Sequence, residues 1–319
     1  MEYLVEKNCG QAEITLNTAV SLTSATETYF TIKHLAEFSG IKPHTIRIWE
    51  QRFAFFYPQR TETSRRVYTA EQVTLFLEIC LLKQNGYRMS QIARMNSTEK
   101  EAIVSGIKGP QKYIRIVHEL IGSMAAMDIM HFNNILDKCV YQWGIHETIK
   151  FVLIPFSERT GLFDSPEKKT YRRNIFLVME CIKQKIYLAI ESTQPVAVPG
   201  RPMTVLLFPS GSSTELPLLY LYYLIKKEGF KIMYLGKYFS FTELDVICNK
   251  KRPDYIVTHL PGNYHYSDLD RFIKCMPCYL PGSHFISAER SVTFDKHFYY
   301  YSHADNFGPV PASLNGLPD

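Results

Sequence analysis

Nothing in this 319-residue chain approaches the roughly 18 uninterrupted apolar residues of a membrane-spanning helix. Its opening, MEYLVEKNCGQAEITLN, has no basic-then-apolar leader. A cytoplasmic protein with no membrane partner is therefore the expectation. The seven cysteines are an odd number scattered along the chain, which excludes a disulfide framework and leaves reduced thiols. Cys275 and Cys278 have zinc or redox spacing, but no second Cys or His pair follows at the usual distance. His259, His265, His284 and His297 fit no metal signature. Also missing are a GxGxxG turn, a phosphate-binding Gly-Lys-Ser/Thr loop and a nucleophile elbow, so no enzyme is expected. The net charge of +5 is too small to name a partner by itself.

What is present is ordinary in amount and uneven in placement. Hydrophobic residues at 46% and charged residues at 21% suit a globular protein that buries real cores. At roughly 100–200 residues per domain the length implies two or three domains. Between Tyr29 and Arg94 ten Lys and Arg stand against five Glu, so the surplus of the whole chain sits in about a fifth of it. A basic module joined to a balanced remainder suggests a polyanion-binding head on a separate body, since phosphate contacts draw on Lys and Arg.

The pattern inside that module is more specific. Apolar residues at helical spacing run from Thr31 to Phe38, Ser39-Gly40 breaks the chain, and Pro43 opens a second helix through Glu50. A short glycine-containing turn between two small helices is the sequence form of a helix-turn-helix. Pro58 to Tyr68 then reads as a hairpin with a polar tip and basic arms, a wing. Thr69 caps a helix carrying Val73, Leu75, Phe76, Ile79 and Leu82, and Ser90 caps another with Ile92 and Met95.

At Ile46-Arg47-Ile48-Trp49-Glu50-Gln51-Arg52, Pro58-Gln59-Arg60-Thr61-Glu62 and Arg65-Arg66-Val67-Tyr68 the chain resembles the MerR family of bacterial transcription regulators. The similarity is strongest to the subgroup whose C-terminal half resembles a cobalamin-binding light sensor. It implies a second helix in the major groove of promoter duplex DNA, a wing on the flanking backbone or minor groove, and work as a dimer or higher oligomer. It implies Lys42, His44, Thr45 and Arg47 as recognition-helix contacts, and Arg52, Arg60, Arg65, Arg66 and Tyr68 as backbone or wing contacts. Trp49, Phe53 and Val67 read as core. The aromatic Phe53-Ala54-Phe55-Phe56-Tyr57 departs from the glycine-containing tract of the family and leaves the wing less firmly placed.

Beyond the head, Gln111 to Ser192 has helical spacing throughout, with Tyr113, Ile116, Val117 and Leu120 on one face, Met127, Ile135, Leu136 and Val140 on the next, and further helices over Thr148–Phe156 and Ile175–Leu188. Three prolines between Pro195 and Pro202 make a linker. Short β-rich runs at Met203–Phe208, Lys231–Leu235 and Asp254–Thr258 then alternate with helices at Glu215–Gly229 and Phe241–Lys251, and His284–Ser287 and Phe298–Tyr301 offer two more strands. Such alternation implies a flavodoxin-like, doubly wound parallel sheet. The expected division is an arm over 1–28, a winged head over 29–108, a helical bundle over 111–193, a linker over 194–202, a cobalamin-binding-like α/β domain over 203–310 and a tail over 311–319.

In the subgroup that this half resembles, a histidine after the first strand ligates cobalt from below, with a glutamate two residues before it. Here Thr214 and Ser212 stand at those places. A hydroxyl is a poor cobalt ligand beside a neutral imidazole. Phe163 is nearest to the tryptophan that covers the corrin in that subgroup, and no Glu-His pair follows it before Leu188. No cofactor is therefore expected in the usual histidine-ligated mode. Two outcomes stay open: cobalamin held without an axial histidine, or a sensor fold that takes another small-molecule effector or only holds the oligomer together. Ser210, Gly211, Ser212, Ser213 and Thr214 form the candidate ligand loop, since hydroxyl residues before a helix offer donors to an anion. The same residues suit an ordinary capped turn. The rival reading of the whole chain is a cobalamin- or metabolite-binding carrier or sensor module without specific DNA binding.

Overall fold

The computed structural model describes residues 28–53, 55–61, 64–162, 171–195, 204–209, 215–236, 241–259, 284–288, 298–301 and 307–309. The chain is mostly helical, with one small, largely parallel sheet at its C-terminal end. No described helix is long and apolar enough to cross a membrane.

Strand β1 (Phe30–Thr31) leads into α1 (Ile32–Ser39), whose N-terminus is closed by a reciprocal pair: the His34 amide donates to Thr31 Oγ1 and the Thr31 amide to His34 Nδ1. Gly40 ends the helix at φ 74°, a left-handed conformation that glycine adopts without steric cost, and its amide donates to Ala36 O. Pro43 then opens α2 (Pro43–Phe53). Strands β2 (Gln59–Arg60) and β3 (Arg66–Tyr68) pair antiparallel, and β3 also pairs with β1, giving the order β1-β3-β2. Thr69 caps α3 (Ala70–Gln84) as its sequence promised, with Gln72 completing the box.

The next short helix, α4 (Met89–Ile92), differs from expectation. Arg88, not Ser90, stands at its N-cap, because Gln91 reaches back to accept from the Arg88 amide at 2.8 Å. A further helix, α5 (Ser97–Ser105), starts from an Asn96 cap.

The bundle comprises α6 (Gln111–Ala125), α7 (Ile129–Thr148), a π turn (Ile149–Leu153), α8 (Ile154–Thr160) and α9 (Arg172–Ser192). Helix α7 breaks at Gly144 (φ 77°, ψ 168°). The single helix expected over Thr148–Phe156 is instead the end of α7, the π turn and the start of α8. Pro155 supplies the reason: it has no amide proton to give to the ladder, and the hydrogen bonding ahead of it loosens to a wider turn.

Head and bundle share one core. Leu35, Phe38, Ile46, Phe76 and Leu77 belong to the same buried cluster as Val117, Leu120, Phe132, Phe156 and Ile182. Helices α3 and α6 approach closely at Gly122, where an added Cβ would lie 3.0 Å from Thr74 Oγ1.

The sheet is ordered β5-β4-β6-β7-β8-β9, from β4 (Thr204–Pro209), β5 (Lys231–Tyr234), β6 (Tyr255–His259), β7 (His284–Ala288), β8 (Phe298–Tyr301) and β9 (Phe307–Pro309). The first four run parallel, with α10 (Glu215–Lys227) and α11 (Phe241–Lys251) as connections. The expectation of a wholly parallel sheet fails at one edge. Strand β8 pairs antiparallel with β7, and β9 antiparallel with β8, where too few residues separate the strands for a crossover helix. Helix α10 has two apolar faces: Leu216, Leu219 and Tyr220 join the bundle core, while Leu218 and Leu221 pack with Val205, Leu207 and Val257 of the sheet.

Candidate nucleic-acid interface

Helix α2 buries one side and shows the other. Ile46 and Trp49 are buried, and the Trp49 ring lies 6.4 Å from that of Phe76 on α3. This fixes the roll of the helix. On the outer side His44, Arg47, Gln51 and Arg52 are exposed, with Thr45 and Ile48 partly covered and Lys42 exposed just before the first turn. His44, Arg47 and Gln51 follow the i, i+3, i+7 spacing of one helical stripe. Gln51 was absent from the residues expected at DNA, although its spacing from Arg47 was visible in the sequence.

The ribbon lies against one flank of α2. Its tip is closed by the Thr61 amide donating to Arg65 O at 3.0 Å and by the Arg65 amide donating to Thr61 Oγ1 at 3.2 Å. Arg60 and Arg65 are exposed. Arg66 is partly covered, its Nε 3.4 Å from Glu50 Oε2. The Tyr68 hydroxyl donates to the other oxygen of the same carboxylate. Glu50 thus ties α2 to β3, and it too escaped notice in the sequence, because its partners lie 16 and 18 positions away.

Tyr68 needs correction as an expected wing contact. It is 0% exposed, one of the largest fully buried side chains, and its ring packs edge-on to Phe56. Burial, and then the bond to Glu50, push its phenol well above the usual range, so it remains a neutral donor. Phe53 and Val67 are partly buried and Trp49 is buried, as core residues should be.

Residues 30–98 match the family described as MerR HTH family regulatory protein. The head is similar to those of the MerR family. The chain is 24% identical over 227 residues to the HTH-type transcriptional repressor CarA of Myxococcus xanthus, covering 70% of this chain and 74% of that one. Two further relatives match over 83 residues at 28% identity: the HTH-type transcriptional regulator MlrA of Escherichia coli (26% of this chain, 34% of MlrA) and the HTH-type transcriptional repressor CarH of Myxococcus xanthus (26% and 28%). Among solved structures, the methanol:cobalamin methyltransferase complex of Methanosarcina barkeri aligns at 10% identity with a TM-score of 0.29, over 65% of this chain and 79% of that one.

The second candidate site adjoins the body. The loop Ser210, Gly211, Ser212, Ser213 and Thr214 lies outside the described residues, as do Phe163, Cys275 and Cys278. Its neighbours are described. Leu216, Pro217 and Tyr220 of α10 face Ile149, Leu153, Ile154, Leu162, Ile182 and Ile186 of the bundle across a narrow apolar crevice. The enclosed space is of the order of one water molecule, far below that of a small-molecule pocket. Polar links span the same helices: Tyr220 Oη lies 3.0 Å from His146 Nδ1, and Lys183 Nζ lies 2.8 Å from both Glu180 and Glu215. No described residue lining the crevice carries an imidazole, thiol or carboxylate for cobalt.

Proposed function

We propose that this protein is a transcription regulator of the MerR type that grips double-stranded promoter DNA through a winged helix-turn-helix, with α2 as the recognition helix and the β2–β3 hairpin as the wing. The observation that carries the reading is the division of α2 into a locked inner face and a free basic outer face beside a basic ribbon. Lys42, His44, Thr45, Arg47 and Arg52 are the helix-side contacts. Arg60 and Arg65 reach the flanking backbone, and Arg66 joins them by sharing its guanidinium between Glu50 and a phosphate.

The division into arm (1–28), head (29–108), bundle (111–193), linker (194–202), flavodoxin-like α/β body (203–310) and tail (311–319) belongs to the same reading. The sheet order β5-β4-β6-β7 supports the body assignment, because it has the strand order of that fold. A single small head buries too little surface for tight binding, so two heads act on a two-fold operator. The body pairs them and takes either no ligand or a small effector at the Ser210–Thr214 loop. The relatives are regulators rather than enzymes, and no catalytic activity is proposed.

Binding to random duplex DNA titrated against salt tests the proposal. Several released counterions, at about 0.9 per neutralised phosphate, are expected. A flat response would favour the carrier or sensor reading, in which the basic head has no nucleic-acid partner.

A further inference from the structure

The turn between α1 and α2 sets the angle at which the recognition helix leaves the head, and its hydrogen bonds can be followed one by one. Ser39 Oγ donates to Leu35 O at 2.7 Å and accepts from the Ile41 amide at 3.1 Å, while Gly40 donates to Ala36 O. The Phe38 carbonyl, in the last turn of α1, is bonded from outside the head. Arg159 Nη1, on α8 of the bundle, donates to it at 3.3 Å.

The same nitrogen donates to His118 Nε2 on α6, which assigns the remaining proton to Nδ1, and Nδ1–H donates to Leu77 O on α3 at 3.2 Å. One guanidinium thereby joins α1, α6 and α8, and reaches α3 through the imidazole. The Cys80 thiol of α3 and the neighbouring Glu158 carboxylate act on it electrostatically, but no carboxylate forms an ion pair with it among the described residues.

A partly buried cation bonded to neutral acceptors adds little to stability compared with an apolar side chain of the same volume. What it supplies is geometry, because a planar fork with fixed donor directions specifies where α1 ends. The C-terminus of a helix also carries partial negative charge, which suits a guanidinium. Helix α8 has a second engagement. Ile154 at its start and Leu162 just beyond its end line the crevice against α10, and Tyr171 Oη donates to Thr160 O while its ring lies 5.5 Å from Phe38. A shift of α8 at the crevice is therefore carried to the turn.

We propose that Arg159 is a positioning residue for the recognition helix: through Phe38 O it fixes the orientation in which the bundle presents α2 to DNA. This rests on the DNA-binding function proposed for the head. The test uses the full chain, with a duplex selected from a random pool by the wild-type protein and, separately, bulk random duplex.

Arg159→Met is expected to weaken binding to the selected duplex by about tenfold and to leave random-duplex affinity and its salt slope unchanged, since the outer face of α2 keeps its charges. Arg159→Gln, which can still donate to a carbonyl, should fall between the two, and it decides the matter if the methionine variant does not fold. Wild-type affinity for the selected duplex in the folded variants would overturn the proposal. So would a parallel loss on both DNAs in step with a lowered melting temperature, which is the mark of a merely structural residue. Should the wild-type protein select no duplex at all, the DNA-binding reading fails first, and that result is distinguishable from either of the others.

Discussion

His118 offers a quantitative test of how head and bundle are joined. It is 3% exposed, and burial, with the Arg159 guanidinium next, holds its imidazole down at about 3 against an ordinary 6.5. In the unfolded chain the ring takes a proton as pH falls through about 6.5; in the folded chain it stays neutral. The folded-state value is the depressed one, so the unfolded state binds more protons on acidification. Stability that is complete above about pH 6.5 is then lost progressively towards pH 3.

The slope is about 1.4 kcal/mol per pH unit, giving roughly 1.4 kcal/mol lost at pH 5.5 and roughly 2.7 kcal/mol at pH 4.5 from this one group. At about 2–4 °C per kcal/mol for chains of a few hundred residues, the melting temperature should fall by roughly 3–5 °C at pH 5.5. The informative quantity is the difference between wild type and His118→Gln, measured by thermal unfolding from pH 4.5 to 7.5, because the other titrating groups are common to both. The glutamine amide oxygen can still accept from Arg159. Convergence of the two stabilities as pH falls, by about those amounts, is expected. Parallel curves over the whole range would refute a buried neutral imidazole at this joint.

Arg47→Ala should weaken duplex binding and reduce the salt slope by about 1, with stability changed by no more than about 0.5 kcal/mol, as fits an exposed contact; an unchanged slope in the same titration removes Arg47 from the interface. Tyr68→Phe should lower stability by about 1–3 kcal/mol in denaturant unfolding, because Glu50 loses a buried donor, and should leave DNA affinity unaltered. Weaker DNA binding at full stability would return Tyr68 to the wing contacts. Lys183→Met should cost about 3 kcal/mol by leaving Glu215 buried without its cation, and near-neutral unfolding data would show that the α9–α10 link carries little.

How much of this architecture could be read in advance depended on whether its cause was local. The helix-turn-helix was legible because the Ser39-Gly40 break, Pro43 and the Thr69 cap act over a few residues. The β4–β6 alternation was legible because buried parallel strands are short apolar runs. Cap choice at α4 was missed, since Ser90 looks like a cap and only the reach of Gln91 to Arg88 decides against it. The fate of Tyr68 was missed for a different reason. A tyrosine beside two arginines suggests a polar surface, whereas the Glu50 carboxylate that draws it inward lies on another element. Arg159, His118 and Phe38 were invisible, because partners 41 and 121 positions apart leave no periodic trace. Strand β8 has the composition of any strand, and its direction is set by the short chain between it and β7, whereas the Phe-Gly-Pro of β9 carries no strand signal.

The merging of the head's apolar interior with that of the bundle bears on any attempt to graft this head onto another protein. Cleaving after residue 108 would strip the cover from Phe38, Leu77 and Cys80, exposing a greasy flank that invites clumping, and would remove the arginine that braces the turn. Chimaeras that borrow this head should therefore carry the chain through α9 and supply a cover for Ile182 and Ile186 in place of α10.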